Sequence, residues 1–423
     1  MKKVGVAVLG LGVVGGGTCK ILMNRREAIK EEYGVDVEIA AVLDLRPERV
    51  TALGLSLDIL AKSIDEICQN PNVDIVVECM GGLEPAKTFL TKALEAGKSI
   101  VTSNKEMFAK SWPDLERAAQ KTGAGLYYEA TTGGGMPIIR TMTTAMQANN
   151  ILEIKAIING TTNYILTRMT NENADYAAVL KDAQALGYAE ANPVADVEGY
   201  DSSYKLSILS SLAFNKRLPV DLVFREGITK ITAEDIAIGK DLGYIVKLLA
   251  IAKQNGGKIE ARVHPVFLPK EHPLSSVSGS FNAVFVVGDA VGDIMIYGRG
   301  AGDLPTGSAI VSDIIYCARQ VEHARYGEMF NEMTKDDIIA DFESAYYVRM
   351  TVHDAPGVLA DVTTVLKKYN ISVSQIRQDK KDDIIPIIFV TRKTTENAMN
   401  KAIEEISSLK NIIKVENVIR VEE

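Results

Sequence analysis

Short, nearly continuous apolar runs alternate with amphipathic stretches over the first third of the chain. "VGVAVLG" is followed by a helical pattern to about Glu32, and then by "VDVEIAAVLDL", "VDIVVECMGG", "KSIVTSNK" and "GLYYEAT". Strands that are apolar throughout are buried on both faces of a sheet, and helices between them supply the cover. The alternation therefore predicts an α/β fold that begins with a doubly wound, Rossmann-like domain over residues 1–132.

The pattern changes after "TTGGGMPIIR", where strands such as "ILEIKAIING" mix with long helices. We predict an α+β domain over residues 133–304, and a helix over about 305–325 that returns to the first domain. A polar linker, 326–345, then leads to a β-α-β-β-α-β pattern over residues 346–423, the ferredoxin-like arrangement. A length of 423 residues agrees with about three domains of roughly 150 residues.

Composition narrows the possible partners. The net charge of -8 argues against a broad surface for nucleic acid or for an anionic membrane. No uncharged apolar run reaches the roughly 18 residues that a membrane span needs, and the four cysteines form no C-x-x-C pair. We therefore expect a cytoplasmic protein that acts on small molecules, without a membrane or nucleic-acid partner.

The motif "GLGVVG" follows the first apolar strand and begins a helix. Glycines at these positions allow a tight turn and a close approach to a pyrophosphate, while the helix N-terminus supplies N–H donors. We predict a dinucleotide site rather than a merely tight turn. Its candidate residues are Gly10, Leu11, Gly12, Val13, Val14 and Gly15.

The second strand ends at Asp44, where an acidic residue can bind the ribose hydroxyls of NAD. Arg46 and Arg49 follow at once and could hold the 2′-phosphate of NADP instead, so the choice between NAD and NADP stays open. A solvated loop is the alternative interpretation of the two arginines. Lys105, in "VTSNKE", lies at another strand end, the edge where ligands bind in open α/β sheets.

Two further stretches are rich in charge. In "YYEATTGGGMPI", Glu129 precedes a glycine-rich turn that can expose carbonyls, which suits a monovalent cation as well as a tight domain junction. In "LGYAEANPVADVEGYDSSYK", Glu190 and Asp201 belong to an acidic loop, and Lys205 follows on a helix. The acidic loop would attract the ammonium of an amino acid. An acidic surface loop with a helical ion pair is the alternative.

Together these motifs resemble homoserine dehydrogenase of the monofunctional, regulated kind. The likeness runs through "GLGVVGGG", "TSNKE", "EATTGGGMPI", "NGTTNYIL", "GYAEANPVADVEGYDSSYK" and "GRGAGDLPTGSAIVSD", in the family's order, over about the first 330 residues. The resemblance implies reduction of aspartate 4-semialdehyde to homoserine with NADH or NADPH, in threonine, methionine and isoleucine biosynthesis. The rival hypotheses are an oxidoreductase for another amino acid alcohol and a non-catalytic nucleotide and amino-acid sensor.

The resemblance also implies that the α+β domain over residues 133–304 binds the substrate and mediates dimerisation, and it implies the roles of single residues. Lys205 would be the proton donor, with Lys105 assisting near the nicotinamide. Asp201 and Glu190 would hold the substrate's amino and hydroxyl groups, and Glu190 would also lie by the nicotinamide. The remaining implied assignments are Thr161 on the substrate side, Gly187 and Gly302 along the cofactor cleft, and a sodium ion held by Glu129 and the backbone carbonyls of Thr132, Gly134 and Met136.

The C-terminal unit resembles an ACT domain, a small-molecule sensor that usually binds amino acids between paired copies. "HDAPGVLADV" matches the turn after its first strand, so Asp354 and Gly357 would contact the effector, with threonine as the implied inhibitor. The resemblance further implies a homodimer or homotetramer. A purely architectural role of this domain in dimerisation is the alternative.

Overall fold

The computed structural model describes residues 2–320, 331–378 and 383–422. These residues form two compact units. Within these ranges, the first unit comprises residues 2–160, 201–223, 281–320 and 331–334, and the second comprises 161–200, 224–280, 335–378 and 383–422. Part of the predicted linker, 326–330, and the end of the predicted return helix, 321–325, lie outside the described residues. Within the described ranges, no helix has the length and apolarity that a membrane span requires.

The strands are listed in chain order as β1 Lys2–Leu9, β2 Val35–Leu43, β3 Ile75–Glu78, β4 Ser99–Thr102, β5 Leu126–Tyr127, β6 Ile151–Ile157, β7 Phe224–Arg225, β8 Tyr244–Asn255, β9 Lys258–Pro269, β10 Phe281–Gly288, β11 Gly292–Arg299, β12 Glu343–His353, β13 Val373–Gln378, β14 Ile384–Thr391, β15 Thr394–Thr395 and β16 Ile412–Val421.

The α-helices are α1 Val13–Tyr33, α2 Pro47–Ala52, α3 Ile64–Gln69, α4 Ala86–Glu95, α5 Lys105–Thr122, α6 Ile138–Arg140, α7 Gly160–Glu172, α8 Tyr176–Ala185, α9 Val194–Val197, α10 Tyr200–Ala213, α11 Ala233–Asp241, α12 Asp303–Arg319, α13 Val358–Lys368 and α14 Glu396–Ser407. A π-helical turn, Thr141–Ala145, continues α6.

The first unit is built on a parallel sheet with the strand order β2-β1-β3-β4-β5. Its strands are apolar because both faces are covered, and Val6, Val77 and Val101 are fully buried. Helix α12 packs on α1, and α4 packs on α5. The prediction of a doubly wound α/β domain is confirmed. The strand order reverses between β1 and β3, which is where such sheets bind ligands at the carboxyl ends of their strands.

An antiparallel group of strands, in the order β11-β10-β6, completes the first unit. Strand β10 lies in the middle, with Val284 opposite Ile296 on one side and Ala156 on the other. The carboxyl end of β6 leads through Ile158 to Asn159. This strand end therefore contributes polar groups to the site described below.

The second unit contains the long antiparallel pair β8 and β9, which turns at Gly256 and Gly257, both with positive φ. Strands β12 to β16 with α13 and α14 form the predicted ferredoxin-like unit, whose sheet order is β16-β12-β14-β13. Its apolar core lies between the sheet and the two helices. The predicted β-α-β-β-α-β order is confirmed, with the short β15 as an addition. Strand β16 also pairs in parallel with β9.

Buried ion pairs hold α11 against this ferredoxin-like sheet. Asp235, in the first turn of α11, accepts hydrogen bonds from the Arg349 guanidinium at 2.6 Å, the Tyr347 hydroxyl at 3.1 Å and the Asn417 amide at 2.9 Å. Although burial opposes ionisation, these donors keep the pKa of Asp235 below its ordinary value. The C-terminal sheet is therefore joined to α11 by charge-assisted hydrogen bonds.

Candidate functional site

The loop between β1 and α1 has the shape of a phosphate cradle. Gly10 lies in the left-handed region, with φ of 84°, and a Cβ on Gly15 would lie 1.9 Å from the Gly10 carbonyl oxygen. Helix α1 then begins without a side-chain cap, so the N–H groups of its first turn remain available to an anion. A Cβ on Gly12 would meet nothing closer than Arg49, at 4.0 Å. The loop therefore fits a pyrophosphate.

Gly302 lies close to this loop within the first unit. It has φ of 127° and immediately precedes α12. A Cβ on Gly17 of α1 would lie 2.5 Å from the Asp303 carbonyl oxygen, so the start of α12 approaches α1 at backbone distance. The predicted cofactor residues Gly10 to Gly15 and Gly302 are thus on neighbouring segments.

Asp44 holds the glycine loop in place. Its carboxylate accepts hydrogen bonds from the Leu11 N–H at 2.6 Å and the Arg46 N–H at 2.8 Å, and it lies 3.3 Å from the Arg49 guanidinium. Burial alone would raise the pKa of Asp44, but these N–H donors and Arg49 lower it. The Arg49 guanidinium, which sequence reasoning left with Arg46 as an open alternative, is therefore turned toward the loop.

Glu78 is a strand-end residue that the sequence reasoning missed. It is fully buried at the end of β3 and accepts hydrogen bonds from the N–H groups of Met80 and Gly81 and from the Thr102 hydroxyl. A carboxylate at the end of the apolar run "VDIVVE" was the signal available in the sequence. Glu78 ties the ends of β3 and β4 together beside the glycine loop.

Lys105 is the first residue of α5. Asn104 caps this helix by accepting a hydrogen bond from the Met107 N–H at 3.1 Å, and its amide donates to the Gly82 carbonyl at 2.6 Å. The cap fixes the direction in which α5 leaves the carboxyl end of β4. The Lys105 ammonium is partly exposed and lies 3.2 Å from the Asp201 carboxylate.

Asp201 and Lys205 lie one turn apart on α10 and are both buried. The Lys205 ammonium donates to the Asp201 carboxylate at 2.7 Å and to the Ile158 carbonyl at 2.7 Å. The Asn159 amide donates to the same carboxylate at 2.9 Å. The structure therefore brings together Lys105, Asp201 and Lys205, which we call the lysine cluster, at the ends of β4 and β6. Asn159 is a member of this site that the sequence reasoning had placed only within a substrate-side stretch.

The lysine cluster carries one more positive than negative charge. Burial would raise the pKa of Asp201, but the Lys205 and Lys105 cations and the Asn159 amide hold it far below its ordinary value. The carboxylate therefore stays ionised and keeps both ammonium groups in place. The excess positive charge suits an oxygen atom that becomes negative during a reaction.

Glu129 lies in a second buried cluster, with Arg140 and Asp313, which we call the acid cluster. Its carboxylate accepts hydrogen bonds from the N–H groups of Ile139 and Arg140, each at 2.8 Å, and its own N–H donates to Asp313. The Arg140 guanidinium pairs with Asp313 and lies 3.8 Å from Glu129. Burial raises the pKa of Glu129 to about 7 and that of Asp313 to about 6.

The turn after Glu129 brings further oxygens into the same segment. Gly134 has φ of 57° and packs directly on the Gly300 backbone, while the Met136 carbonyl accepts a hydrogen bond from the Ile138 N–H. The buried Thr132 hydroxyl has no hydrogen-bond partner among the described residues. An orphaned hydroxyl beside a cluster with excess negative charge is compatible with a bound monovalent cation.

The remaining predicted substrate and cofactor residues belong to the second unit. Thr161, in the first turn of α7, donates from its hydroxyl to the Tyr188 carbonyl at 2.7 Å. Gly187 has φ of 76° just after α8, and Glu190 is exposed, with its carbonyl accepting a hydrogen bond from the Gln184 amide. Thr161 is thus joined to the segment that carries Gly187 and Glu190.

The predicted effector residues line a cavity of about 300 Å³ in the ferredoxin-like unit. Gly357 has φ of 95° and forms the N-cap of α13. Asp354 precedes it, and its N–H donates to the Asp383 carbonyl at 2.8 Å. Leu359, Gln378 and Ile385 also line the cavity. The volume and the adjacent helix N-terminus suit a small molecule with a negative group.

Comparison with known proteins supports the resemblance inferred from the motifs. The family model described as "Homoserine dehydrogenase, NAD binding domain" matches residues 10–129, "Homoserine dehydrogenase" matches 137–315, and "ACT domain" matches 346–411. The chain is 40% identical to the homoserine dehydrogenase of Mycobacterium tuberculosis over 435 residues, which cover 100% of this chain and 98% of that protein.

Solved structures give the same result. The homoserine dehydrogenase of Thiobacillus denitrificans aligns with a TM-score of 0.92 and 37% identity over 100% of this chain and 99% of that one. A hyperthermophilic archaeal homoserine dehydrogenase in complex with NADPH aligns with a TM-score of 0.63 and 27% identity, over 74% of this chain and 97% of that one.

Proposed function

The chain belongs to the homoserine dehydrogenase family, and from this premise we propose that Lys205 is the proton donor when aspartate 4-semialdehyde is reduced to homoserine. The family consists of NAD(P)-dependent oxidoreductases that act on a hydroxyl group. The observation that carries the proposal is the lysine cluster, in which one buried carboxylate holds two ammonium groups at the carboxyl ends of β4 and β6.

The proposed chemistry requires few protein groups. A nicotinamide cofactor, when bound, would supply or accept the hydride. The Lys205 ammonium donates a proton to the oxygen of the aldehyde as that oxygen becomes an alkoxide, and Lys105 adds a second positive charge nearby. In the oxidative direction, the neutral amine of Lys205 accepts the hydroxyl proton of homoserine.

Asp201 has two parts in this proposal. It positions both lysines, since Oδ2 accepts hydrogen bonds from Lys205 and Asn159 while Oδ1 lies beside Lys105. A carboxylate oxygen has two lone pairs, so Oδ1 retains capacity for the substrate's ammonium. Glu190 and Thr161 of the second unit are proposed as further substrate ligands, and Glu190 and Gly187 as cofactor neighbours.

For the cofactor we propose that residues Gly10 to Gly15 and Gly302 bind the pyrophosphate region and that Asp44 and Arg46 lie near the adenosine ribose. The Asp44 carboxylate already accepts two backbone hydrogen bonds and contacts Arg49. This contact places a guanidinium beside the acidic residue, so both NAD and NADP remain candidates. Arg46 and Arg49 are both proposed as candidates for a contact with the 2′-phosphate of NADP.

We propose that a sodium ion binds at Glu129 with the backbone carbonyls of Thr132, Gly134 and Met136. The support is the excess negative charge of the acid cluster and the orphaned Thr132 hydroxyl. The ion would balance a buried charge and would not take part in hydride or proton transfer. A protonated Glu129 is the alternative way to balance the same charge.

For regulation we propose that threonine binds in the cavity beside Asp354 and Gly357 and inhibits the enzyme. A purely architectural ACT domain is the alternative. We also propose assembly into a homodimer or homotetramer, because β13 is an edge strand of the ferredoxin-like sheet and exposes Ile376. Light scattering of the purified chain measures the assembly directly.

One assay tests reaction, cofactor and regulation together. The rate of homoserine-dependent reduction of NAD and of NADP is measured at 340 nm with and without threonine, beside other amino acid alcohols. We expect turnover with homoserine and slower turnover when threonine is present. Nucleotide binding without turnover would favour a sensor, and faster turnover of another alcohol would favour a different substrate. An unchanged rate with threonine would contradict the proposed effector.

A further inference from the structure

Lys247, on β8 of the second unit, is a buried cation outside the lysine cluster. Its side chain is almost completely buried, and its ammonium donates to the Asn163 side-chain oxygen at 3.2 Å and to the Val277 carbonyl. Both acceptors are neutral. Across residues 2–320, 331–378 and 383–422, no carboxylate lies within ion-pair distance of Lys247. Burial without a counter-charge lowers its pKa to about 8.

Other buried cations of the chain have acidic partners. These pairs are Lys155 with Glu153, Lys205 with Asp201, Arg217 with Glu116, Arg262 with Glu422, Arg349 with Asp235 and Arg420 with Glu396. Carbonyl and amide oxygens accept hydrogen bonds from Lys247 but do not neutralise its charge. Burying an ion without a counter-charge is unfavourable, so an anion that binds nearby would be stabilised by this site.

The ammonium of Lys247 contacts the first turn of α7. Asn163 belongs to that turn, and its amide also donates to the Val277 carbonyl at 3.2 Å, so the three groups form a closed triangle. The helix N-terminus already carries partial positive charge from the helix dipole. Lys247 adds a full positive charge beside the same turn. Thr161 also belongs to this turn and is partly exposed.

We infer that Lys247 is a positioning residue that recognises the α-carboxylate of the substrate through the first turn of α7. Homoserine and aspartate 4-semialdehyde both carry this carboxylate. The inference rests on the proposed function, in which Thr161 is a substrate ligand. The ammonium group acts through Asn163 and through its electric field in a buried, weakly screened environment, without direct contact with the substrate.

The test compares homoserine with its amide, which replaces the carboxylate by a neutral group of similar shape. Lys247→Met is expected to reduce the ratio of kcat/KM for homoserine to kcat/KM for homoserine amide by about tenfold or more, mainly through KM for homoserine. The KM for the nucleotide should stay within about twofold, and Lys247→Arg should retain most of the preference.

Asn163→Asp is the second variant, because it keeps the side-chain shape while placing a carboxylate beside Lys247. We expect it to reduce the same ratio even if Lys247→Met fails to fold. Lys253→Met, on the same strand but paired with Glu422, is the matched control and should leave the ratio unchanged. Equal losses for both substrates, or an unchanged ratio in Lys247→Met and Asn163→Asp, would overturn the inference. Absence of homoserine turnover in the wild-type enzyme would instead refute the proposed function.

Discussion

The lysine cluster and the acid cluster bury similar groups with opposite charge balance. Asp201 is 6% exposed and Glu129 is 4% exposed. In the lysine cluster two ammonium groups surround one carboxylate, whereas in the acid cluster two carboxylates share the Arg140 guanidinium. Burial alone therefore cannot explain how the two carboxylates differ.

The neighbouring charges decide the ionisation of each carboxylate. The pKa of Asp201 is lowered despite its burial because two cations face it. The pKa of Glu129 is raised to about 7 by burial and by the negative charge of Asp313, which together outweigh the Arg140 guanidinium. One cluster keeps a positive excess, which suits a developing oxyanion. The other keeps a negative excess, which a cation or a proton can balance.

The largest effect is expected for the lysine cluster. Lys205→Met removes the proposed proton donor while keeping an unbranched side chain, so we expect kcat for homoserine oxidation to fall by about 10³-fold or more. The affinity for the nucleotide, measured by fluorescence titration, should change little because the glycine loop is untouched. Steady-state rates at saturating homoserine provide the measurement.

Lys92→Met, which removes an exposed lysine paired with Asp65, is the control and should keep the wild-type rate. Near-normal turnover of Lys205→Met would show that the positive charge excess of the lysine cluster has a structural role and no catalytic role.

The parts of both clusters that depend on local spacing could be predicted from sequence. The apolar runs predict the strands whose ends bear Asp44, Lys105 and Glu129, because side chains at the carboxyl ends of parallel strands share one edge of the sheet. Asp201 and Lys205 are four residues apart and so face the same side of a helix. The family resemblance added their proposed roles, which spacing alone left open.

The contacts that balance the charges could not be predicted in this way. Lys105 and Asp201 are far apart in sequence, and so are Arg140 and Asp313, and their distances depend on how β4, β6, α10 and α12 pack. Asn159 shows no pattern that distinguishes it from an ordinary strand-end residue, and the only sequence signal for Glu78 is a carboxylate at the end of an apolar run. The choice between Arg46 and Arg49 depends on side-chain direction in a short turn, which the residue order does not determine.

A smaller loss of activity is expected when the carboxylate of the lysine cluster is neutralised. Asp201→Asn keeps the shape but leaves two ammonium groups without a counter-charge, so we expect kcat/KM for homoserine to fall by about 10²-fold, less than for Lys205→Met because the donor remains. Because the folded pKa of Asp201 is depressed, the stability it contributes is present above about pH 4 and is lost as pH falls through that pKa.

Urea unfolding of wild type and Asp201→Asn at pH 7 and at the lowest pH at which both proteins stay folded measures this contribution. The wild type should be the more stable protein at pH 7, and the difference should shrink in acid. A difference that does not depend on pH would mean that the amide disturbs packing, and the charge argument for this cluster would fail.

The smallest expected effect concerns the acid cluster and has the opposite sign. The folded pKa of Glu129, about 7, lies above its ordinary value of 4.5, so the folded state holds a proton that the unfolded state has released between these two values. The free energy of unfolding should therefore decrease from pH 5 to pH 8 in sodium-free buffer, by about 2 kcal/mol from this group. Glu129→Gln should remove most of that decrease.

Sodium distinguishes the two ways of balancing this charge. If sodium binds at Glu129, sodium chloride at pH 8 should stabilise the wild type more than choline chloride at the same ionic strength, and Glu129→Gln should lose the difference. Glu95→Gln, at an exposed glutamate, is the matched control. Equal stability in both salts would contradict sodium binding at Glu129 and would indicate that a proton balances the charge. If the free energy of unfolding depended on pH in the same way in the wild type and in Glu129→Gln, the acid cluster would not carry the excess negative charge that distinguishes it from the lysine cluster.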